Sequence, residues 1–555
     1  MEKIYRVQEW KHDDLARHLL ALRGVEDDES VARFLAPDFE RDSHDPFLLP
    51  DMGKAVDRII DAIKKGEHIC VWSDYDCDGI PGGVMLVEFL RSINAHVTHY
   101  IPHRHDEGYG LNTEGVDEIA RDGVTLMITV DLGITDIDAI DHARERGIDV
   151  IVTDHHLPGD VLPSAIAVVD AHRKDSQYPF KDLCGAGVAW KLVQAILSCD
   201  RFGLKEGQEK WLLDLVGLAT LSDMVPLVGE NRMLAAYGLI VMRKNRRPGL
   251  RALFSIMNMR AATLTEDDVV FMVTPRINAA SRMDSPDIAA QLLAASDDEE
   301  ARAWAERLQH LNNERKGLVA SIVKDARKRL RERDHDDDKK LVVIGDPSWR
   351  PGVLGLVANA LVESEGTPAF VWGRHGDADS LKGSCRSDGS VNVVDLMRAA
   401  QDVFLDVGGH AMSGGFSLAV ERAHELAPAL LAAHSSLQSD ATSECFIDVD
   451  RELSVASVRS ALRTVESLAP FGVAHPKPLF IFRQVRVSSV RSFGKQSDHL
   501  EIAFTQGKDM IVGVSFFATP ESFARKPEVE MEVDVVGNVE KDFRGAPRLR
   551  IVDIL

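Results

Sequence analysis

Acidic residues follow several apolar runs in the first half of the chain, and this pattern constrains the fold more than any other sequence feature. The runs span residues 68–72, 126–130 and 150–153, and the residues that follow them are Asp74, Asp76 and Asp78, then Asp131, then Asp154-His155-His156. In an open α/β sheet, ligands bind at the carboxyl ends of the strands, where the strand order reverses. We therefore expect these side chains to meet at one edge of a mostly parallel sheet.

The residue types in this set favour a divalent metal. Mg²⁺ and Mn²⁺ prefer oxygen ligands, and an imidazole makes Mn²⁺ the more plausible ion at one position. Two such ions about 3.5–4 Å apart, joined by a bridging carboxylate, support in-line hydrolysis of phosphate esters. The set does not distinguish phosphomonoesters, phosphodiesters and pyrophosphates. Asp223 follows an apolar helix predicted over residues 211–221, and it could either join the site or cap the next turn.

The first part of the chain contains a predicted α/β domain. Residues 1–50 are acidic, are predicted to be helical, and are interpreted as an N-terminal appendage. Residues 51–235 alternate apolar strands with amphipathic helices. Such alternation predicts βαβ units around a mostly parallel sheet.

The remainder of the chain predicts three more segments. Residues 236–338 form a helical connector, with one long helix over 297–333 that the acidic tract 334–338 ends. Residues 339–440 form a second, smaller α/β domain. The short β-rich runs of residues 441–555, separated by turn residues, fit a β-barrel of the OB type.

Composition bounds the cellular setting. The chain has 555 residues and no apolar run near the roughly 18–20 residues that a membrane span needs. Its six cysteines are scattered without a CxxC pair, which favours a reducing cytoplasm over a disulfide framework or a structural zinc site.

Net charge is −23, which by itself counts against a nucleic-acid partner. Binding depends on local potential, however, and two segments are locally basic. Residues 241–260 carry arginines and a lysine without any acid, and residues 324–333 are rich in both basic types. Each segment could be either a solvated helix face or a phosphate-facing patch.

Asp154-His155-His156 is the motif that gives the DHH phosphoesterase superfamily its name, and the chain resembles this superfamily well beyond the motif. Further blocks are similar to those of its single-strand-specific 5′→3′ exonucleases and occur in the same order: PHRHDEGYGLN (102–112), LSDMVPL (221–227), TPRINAASRM (274–283), GVLGLVA (352–358), KGSCRS (382–387) and GGHAMSGG (408–415). The resemblance implies a DHH catalytic domain at 51–235, a DHH-associated substrate-binding domain at 339–440 and a nucleic-acid-binding OB-fold at 441–555.

The resemblance also implies roles for individual residues. The implied ligands of two Mn²⁺ or Mg²⁺ ions are Asp74, Asp76, Asp78, Asp131, His155 and Asp223, with Asp131 bridging. The implied catalytic residues are Asp131, Asp154, which orients a neighbouring imidazole, and His156, which contacts the scissile phosphate or assists the attacking water. The residues implied to bind phosphate or nucleic acid are Arg104, Arg276, Asn278, Arg282, Ser384, Arg386, Gly409 and His410.

The implied activity is that of a metal-dependent exonuclease. Such an enzyme removes mononucleotides from the 5′ end of single-stranded DNA in repair and recombination. The implied partner is single-stranded DNA with a free 5′ end, with a helicase or a single-strand-binding protein as further partners of a cytoplasmic, membrane-free monomer. In the barrel, Phe480, Phe482 and Phe493 are candidates for stacking on bases, although the first two also fit a barrel core.

The chain departs from the family pattern at a few positions, and other functions stay open. Cys77 replaces the usual alanine, Ile80-Pro81-Gly82-Gly83 replaces a hydroxyl-containing run, and the small residues Ser281 and Ser413 replace other small residues. One alternative is a nanoRNase or cyclic-dinucleotide phosphodiesterase acting on short substrates, against which the connector and the barrel argue. Another is a scaffold without activity, against which the complete ligand set argues.

Overall fold

The computed structural model describes residues 3–104, 106–333, 340–376, 378–437, 445–494, 497–542 and 544–555. The chain divides into two compact units. One unit comprises Asp45–Asp223 and Gly238–Ala441, and the other comprises Met1–His44, Met224–Tyr237 and Thr442–Leu555. Within the described ranges, no helix combines the length and the apolar character that a bilayer span requires. The acidic tract 334–338, expected to end the long helix, lies outside the described residues.

The catalytic part of the chain contains the predicted parallel sheet. The chain begins with β1 (Lys3–Val7), α1 (Leu15–Leu22), α2 (Asp28–Leu35) and α3 (Phe39–Asp42). It continues with α4 (Met52–Lys65), β2 (His68–Ser73), α5 (Gly79–Ser92), β3 (His96–Tyr100), α6 (Thr113–Arg121), β4 (Val124–Val130), α7 (Ile137–Glu145), β5 (Asp149–Thr153), β6 (Ala167–Val169), α8 (Gly185–Cys199) and α9 (Leu213–Ser222). The strand order is β3-β2-β4-β5-β6, and every pairing is parallel. The order therefore reverses between β2 and β4, where α/β sheets bind their ligands.

The predicted connector is helical. It contains α10 (Gly229–Arg243), α11 (Pro248–Ile256), α12 (Glu266–Asp268), α13 (Thr274–Met283), α14 (Asp287–Ala294) and α15 (Asp298–Arg333), with a π-helical turn at Val269–Val273. The long helix expected over 297–333 is α15, which spans 36 residues. Its first turn is acidic and its last turn is basic, as the helix dipole favours.

A second, mixed sheet follows in the same unit. Its elements are β7 (Val342–Gly345), α16 (Leu354–Glu365), β8 (Ala369–Arg374), β9 (Ser380–Arg386), α17 (Val393–Ala399), β10 (Asp406–His410), β11 (Ser413–Ala419) and α18 (Leu426–Leu437). The strand order is β10-β11-β9-β8-β7. Only the β7–β8 pairing is parallel, and helices on both faces bury separate apolar clusters.

The other unit contains a closed barrel. Its remaining elements are β12 (Cys445–Val449), β13 (Arg451–Glu452), α19 (Val458–Leu468), β14 (Phe480–Phe493), β15 (His499–Gln506), β16 (Asp509–Phe516), β17 (Glu532–Lys541) and β18 (Pro547–Ile554). A second pairing of β14, with β17, closes the sheet. The N-terminal segment is helical over α1, α2 and α3 as expected, but its first residues form β1, which pairs in parallel with β12. Leu19 and Leu20 of α1 join the barrel's apolar core.

Phe480 and Phe482 belong to the barrel core, since both are 0% exposed. We expect Phe482→Ala to lower the free energy of unfolding by about 3–5 kcal/mol, because it removes apolar contacts and leaves a cavity. Chemical denaturation followed by circular dichroism measures this change. Phe517→Ala is the matched control, because Phe517 is 84% exposed and its removal should cost about 0.5 kcal/mol or less. Equal losses in the two variants would contradict this assignment.

Candidate metal centre

The loop after β2 is held by helix amino termini. The Asp76 Oδ1 atom accepts hydrogen bonds from the amides of Asp78, at 2.7 Å, and Gly79, at 3.2 Å. The two carboxylate oxygens of Asp78 accept from the amides of Gly185 and Ala186, at 2.6 and 2.8 Å, at the start of α8. The positive end of the α8 dipole thus stabilises a buried carboxylate.

Asp131 occupies a strained backbone conformation at the end of β4. Its φ is +67°, a region that a non-glycine residue rarely adopts. Its amide donates to the carbonyl of Thr153 at 3.0 Å, which fixes the loop against β5. A Cβ atom at Gly185 would come within 2.4 Å of the Asp131 Cβ, so only glycine allows α8 to approach this closely. The packing therefore fixes the Asp131 side chain at the sheet edge.

The Asp154-His155-His156 motif is ordered by its own aspartate. The Asp154 Oδ1 atom accepts from the amide of His155 at 2.7 Å and from Nδ1 of His156 at 2.8 Å. Burial by itself would raise the pKa of Asp154, but these bonds hold it below its usual value. Burial likewise opposes protonation of His156, yet the bond to Asp154 raises the pKa of His156 to about 9.

The strand-end side chains converge. Nε2 of His155 lies 3.1 Å from Asp131 Oδ1, 3.7 Å from Asp223 Oδ2 and 3.9 Å from Asp78 Oδ2. Three overlapping sets each place their ligand atoms within 4.8 Å of one another: Asp131, His155 and His156; Asp78, His155 and Asp223; and Asp74, Asp76 and Asp131. The structure thus brings all the proposed ligands together, including Asp223, which the residue pattern alone left open.

The electrostatics of this cluster fit divalent cations. Burial raises the pKa of Asp131 and Asp74, and the neighbouring carboxylates raise both further. The pKa of Asp223 is raised to about 9 by burial and by Asp78. Among the described residues, no arginine or lysine forms an ion pair with these carboxylates, and Oδ1 of Asp74 is buried without a hydrogen-bond donor. Such a carboxylate set is stable in ionised form only beside bound cations.

Three of the predicted phosphate-binding residues, Arg276, Asn278 and Arg282, lie on α13. Arg276 is 6% exposed and donates to Gln309 Oε1 and to the carbonyl of Met272, so it is not a solvated arginine. Oδ1 of Asn278 is buried without a donor. Arg282 donates to the carbonyl of Gly352. Burial and the charge of Arg104 lower the pKa of Arg282 to about 9, while Asp76 opposes this shift.

The remaining predicted residues line adjacent elements. The Arg104 guanidinium lies 4.8 Å from the ring centre of Tyr75. Ser384 and Arg386 lie on β9, and a Cβ atom at Gly355 would come within 3.0 Å of the Arg386 guanidinium. Gly409 and His410 do not form a turn, because both pair within β10 to β11. The phosphate-binding roles of these residues stay predictions.

Sequence reasoning missed several functional candidates. Arg315 and Lys316 lie on α15 near Arg276, and burial lowers the pKa of each. Their spacing in the sequence does not distinguish them from the many other charged residues of this helix. Asp170 follows β6 and is fully buried beside His172, whose pKa it raises. The strand-end pattern could have found Asp170.

The two basic segments are mostly occupied by internal pairing. Arg247 forms ion pairs with Glu88 and Asp214, and Arg251 pairs with Asp298. In the second segment, Arg329 pairs with Asp325 and Asp346. These residues therefore stabilise the helical region, and the cations near the carboxylate cluster come from other helices.

Comparison with known proteins is consistent with this geometry. The model of the DHH family N-terminal domain matches residues 68–220, the DHHA1 domain matches 337–435 and the RecJ OB domain matches 449–552. The α/β fold class, with a DHH domain, a DHH-associated domain and an OB barrel, is confirmed.

Solved structures resemble the whole chain. The structure of RecJ from Thermus thermophilus in complex with Mn²⁺ matches with a TM-score of 0.80 at 27% identity, covering 100% of this chain and 79% of that one. The complex of the same protein with Mg²⁺ matches with a TM-score of 0.75 at 25% identity, covering 100% and 78%. One of these structures contains Mn²⁺ and the other contains Mg²⁺, and these are the two kinds of ion that the sequence predicts.

Curated relatives cover most of the chain. The protein named single-stranded-DNA-specific exonuclease RecJ of Bacillus subtilis strain 168 is 34% identical over 93% of this chain, which spans 64% of that relative's length. The protein of the same name from Dickeya dadantii strain 3937 is 33% identical over 97% of this chain and 95% of its own length. The chain therefore belongs to the RecJ family.

Proposed function

We propose that this chain is a metal-dependent exonuclease that hydrolyses phosphodiester bonds of single-stranded DNA from the 5′ end and releases mononucleotides in repair and recombination. The observation that carries the proposal is the convergence of the strand-end carboxylates and His155 beside a group of buried arginines in one compact unit. The names of the RecJ relatives support the same substrate class. The 5′ polarity rests on the resemblance to the exonuclease branch of the superfamily.

The carboxylates and His155 would hold two Mn²⁺ or Mg²⁺ ions, with Asp131 between them. Such ions activate a water molecule and neutralise charge on the phosphate during in-line displacement. Asp154 would keep the His156 ring oriented through the 2.8 Å bond to its Nδ1 atom. The bond to Asp154 favours the protonated form of His156, which can donate its other N–H to a phosphate oxygen.

The buried cations would guide the DNA backbone. Burial lowers the pKa of Arg276, Arg282 and Lys316, and repulsion from neighbouring cations, Arg315 among them, lowers each further. Phosphates of a DNA strand would offset this repulsion, and each such contact contributes to salt-dependent binding. Arg282 is influenced by both Asp76 and Arg386, so it lies between the carboxylate cluster and β9. Ser384, Gly409 and His410 would hold the terminal nucleotide.

The barrel would contribute by stacking. His499 lies within 5.3 Å of the ring centres of Phe493, Phe516 and Phe517, and the Arg550 guanidinium lies 4.5 Å from Phe516. Exposed aromatic rings beside a cation bind single strands without sequence preference. The proposal also includes that the protein is a cytoplasmic monomer and that it works with a helicase or a single-strand-binding protein.

A nuclease assay tests the activity. With Mn²⁺ or Mg²⁺, we expect mononucleotide release from a 5′-labelled single strand, with little release from the same sequence as a duplex. A 3′-labelled strand should lose its label last, because digestion begins at the other end. Asp131→Ala should be inactive. Faster hydrolysis of a dinucleotide than of the long strand would favour the alternative of a phosphodiesterase for short substrates. Equal activity of the wild type and Asp131→Ala would refute the proposal that this chain is an enzyme.

Metal binding should invert the effect of a ligand substitution on stability. At pH 8, metal-free Asp131→Asn should unfold at a higher temperature than the wild type, because it removes one of several buried, mutually repelling carboxylates. Mn²⁺ at about 100 times its Kd should stabilise the wild type by about 2.7 kcal/mol and the variant by much less. Thermal unfolding with and without Mn²⁺ measures both effects. Asp160→Asn, at an exposed loop residue, should behave as the wild type, and an unchanged Mn²⁺ response in Asp131→Asn would contradict the assignment.

Arg315→Gln should weaken binding of long strands. We expect KM for a long single strand to rise about tenfold with little change in kcat, and the salt dependence of binding to fall by about one phosphate contact. Hydrolysis of a dinucleotide should change much less, because a dinucleotide offers few phosphates to the cations of α13 and α15. Arg302→Gln, at an exposed arginine of the same helix, is the matched control. A similar rise in KM in both variants would remove Arg315 from the DNA path.

A further inference from the structure

A cavity of about 550 Å³ lies in the catalytic unit, and none of the residues that line it belongs to the metal cluster. Its walls come from α5, from β3, from the 3₁₀ turn Glu209–Leu212 with the start of α9, and from the helical region around α11 and α14. Residues from these elements include Val84, Arg91, His99, Trp211, Arg246 and Ala290. The size is within the range of small-molecule sites, about 300–1,000 Å³. The metal-binding loop precedes α5, so the cavity lies further along the same helix.

The charges of the cavity favour an anion. Both of its carboxylates are engaged by Arg247, which contacts Asp214 at 2.7 and 3.1 Å and Glu88 at 2.8 Å. Arg91 and Arg246 are exposed, and neither forms an ion pair within the described part of the chain. These two guanidiniums are therefore available to a ligand, and an anionic ligand would satisfy both.

Two further features add to this preference. Arg247 and Pro248 begin α11 at the cavity wall, and no side chain caps that helix, so the positive end of its dipole adds to the local potential. Burial and the charge of Arg91 lower the pKa of His99 to about 4. His99 is thus neutral at neutral pH and adds no charge to the cavity, and its Nε2 atom shares a 2.9 Å hydrogen bond with Ser73 Oγ.

The rest of the cavity fits a flat, largely apolar ring system of a ligand. Trp211 is 39% exposed, and the Arg246 guanidinium stacks 3.7 Å from its ring centre. Val87, Ala290 and Ala294 supply apolar surface, and Gln291 supplies an amide that can pair with a polar edge. A ligand with an anionic group on a planar ring system matches both halves of the cavity.

We propose that this cavity is a second nucleotide site, which binds a deoxynucleoside monophosphate with its phosphate at Arg91 and Arg246 and its base against Trp211 and the apolar wall. The choice of a mononucleotide rests on the proposed function, because that reaction releases such molecules. The site is separate from the metal centre, since the two share no lining residue.

Crystals soaked with 5-bromo-2′-deoxyuridine 5′-monophosphate test the location, because bromine gives an anomalous signal. We expect a peak beside Trp211. Calorimetric titration of the same nucleotide should detect a site that Arg246→Gln weakens about tenfold, the loss expected for a charged hydrogen bond. Arg459→Gln, at an exposed arginine of the barrel unit, should bind as the wild type does.

Absence of bromine from the cavity, or equal affinity of Arg246→Gln and Arg459→Gln, would overturn the proposal. Equal affinity for inorganic phosphate would also overturn it, because the base would then contribute nothing. Arg246→Gln should digest single-stranded DNA at the wild-type rate. If neither protein digests DNA while bromine occupies the cavity, the proposed function fails and the nucleotide site stands.

Discussion

The burial of several carboxylates at one edge of a parallel sheet is the constraint on which the rest of the structure depends. Moving an ionised carboxylate out of water is unfavourable unless hydrogen bonds or opposite charges replace the water. The amino terminus of α8 satisfies Asp78 in this way, and backbone amides satisfy Asp76. Asp131 and Asp74 keep raised pKa values, because burial and the neighbouring carboxylates both disfavour their ionised forms. Bound divalent cations supply the missing charge, and the loops around the sheet edge are shaped to hold them.

A second imbalance of charge, of opposite sign, lies beside the first. Burial lowers the pKa values of Arg276, Arg282, Arg315 and Lys316, and nearby like charges lower those of Arg276, Arg282 and Lys316 further. A phosphodiester chain that lies on these residues would offset their positive charge, and its end could contact the cations that the carboxylates would hold. This arrangement also explains how a chain of net charge −23 can bind nucleic acid, since local potential and not total charge attracts the phosphates.

Agreement between sequence and structure follows from the range of each interaction. The strand-end rule placed Asp74, Asp131 and His155 together, because the carboxyl ends of neighbouring parallel strands must meet. The long helix α15 was predicted from the helical spacing of its apolar residues. By contrast, β1 was missed because its partner β12 lies more than four hundred residues away in sequence. The glycine-rich run that contains Gly409 and His410 is typical of a turn, but both residues pair with β11 and so belong to strand β10. Arg315 carried no signal, because its burial depends on α13 packing against α15.

The sequence by itself determined the α/β class and the carboxylate cluster. Both follow from the local spacing of apolar residues along helices and strands, and from the geometry of neighbouring parallel strands. Only the tertiary structure decided that Asp223 lies 3.7 Å from His155, and that Arg276 is buried and Arg282 and Arg315 are partly buried. It also decided that Arg247 of the first basic segment forms ion pairs with Asp214 and Glu88. Those outcomes depend on which helices pack together, and packing is set by long-range burial that no local pattern encodes.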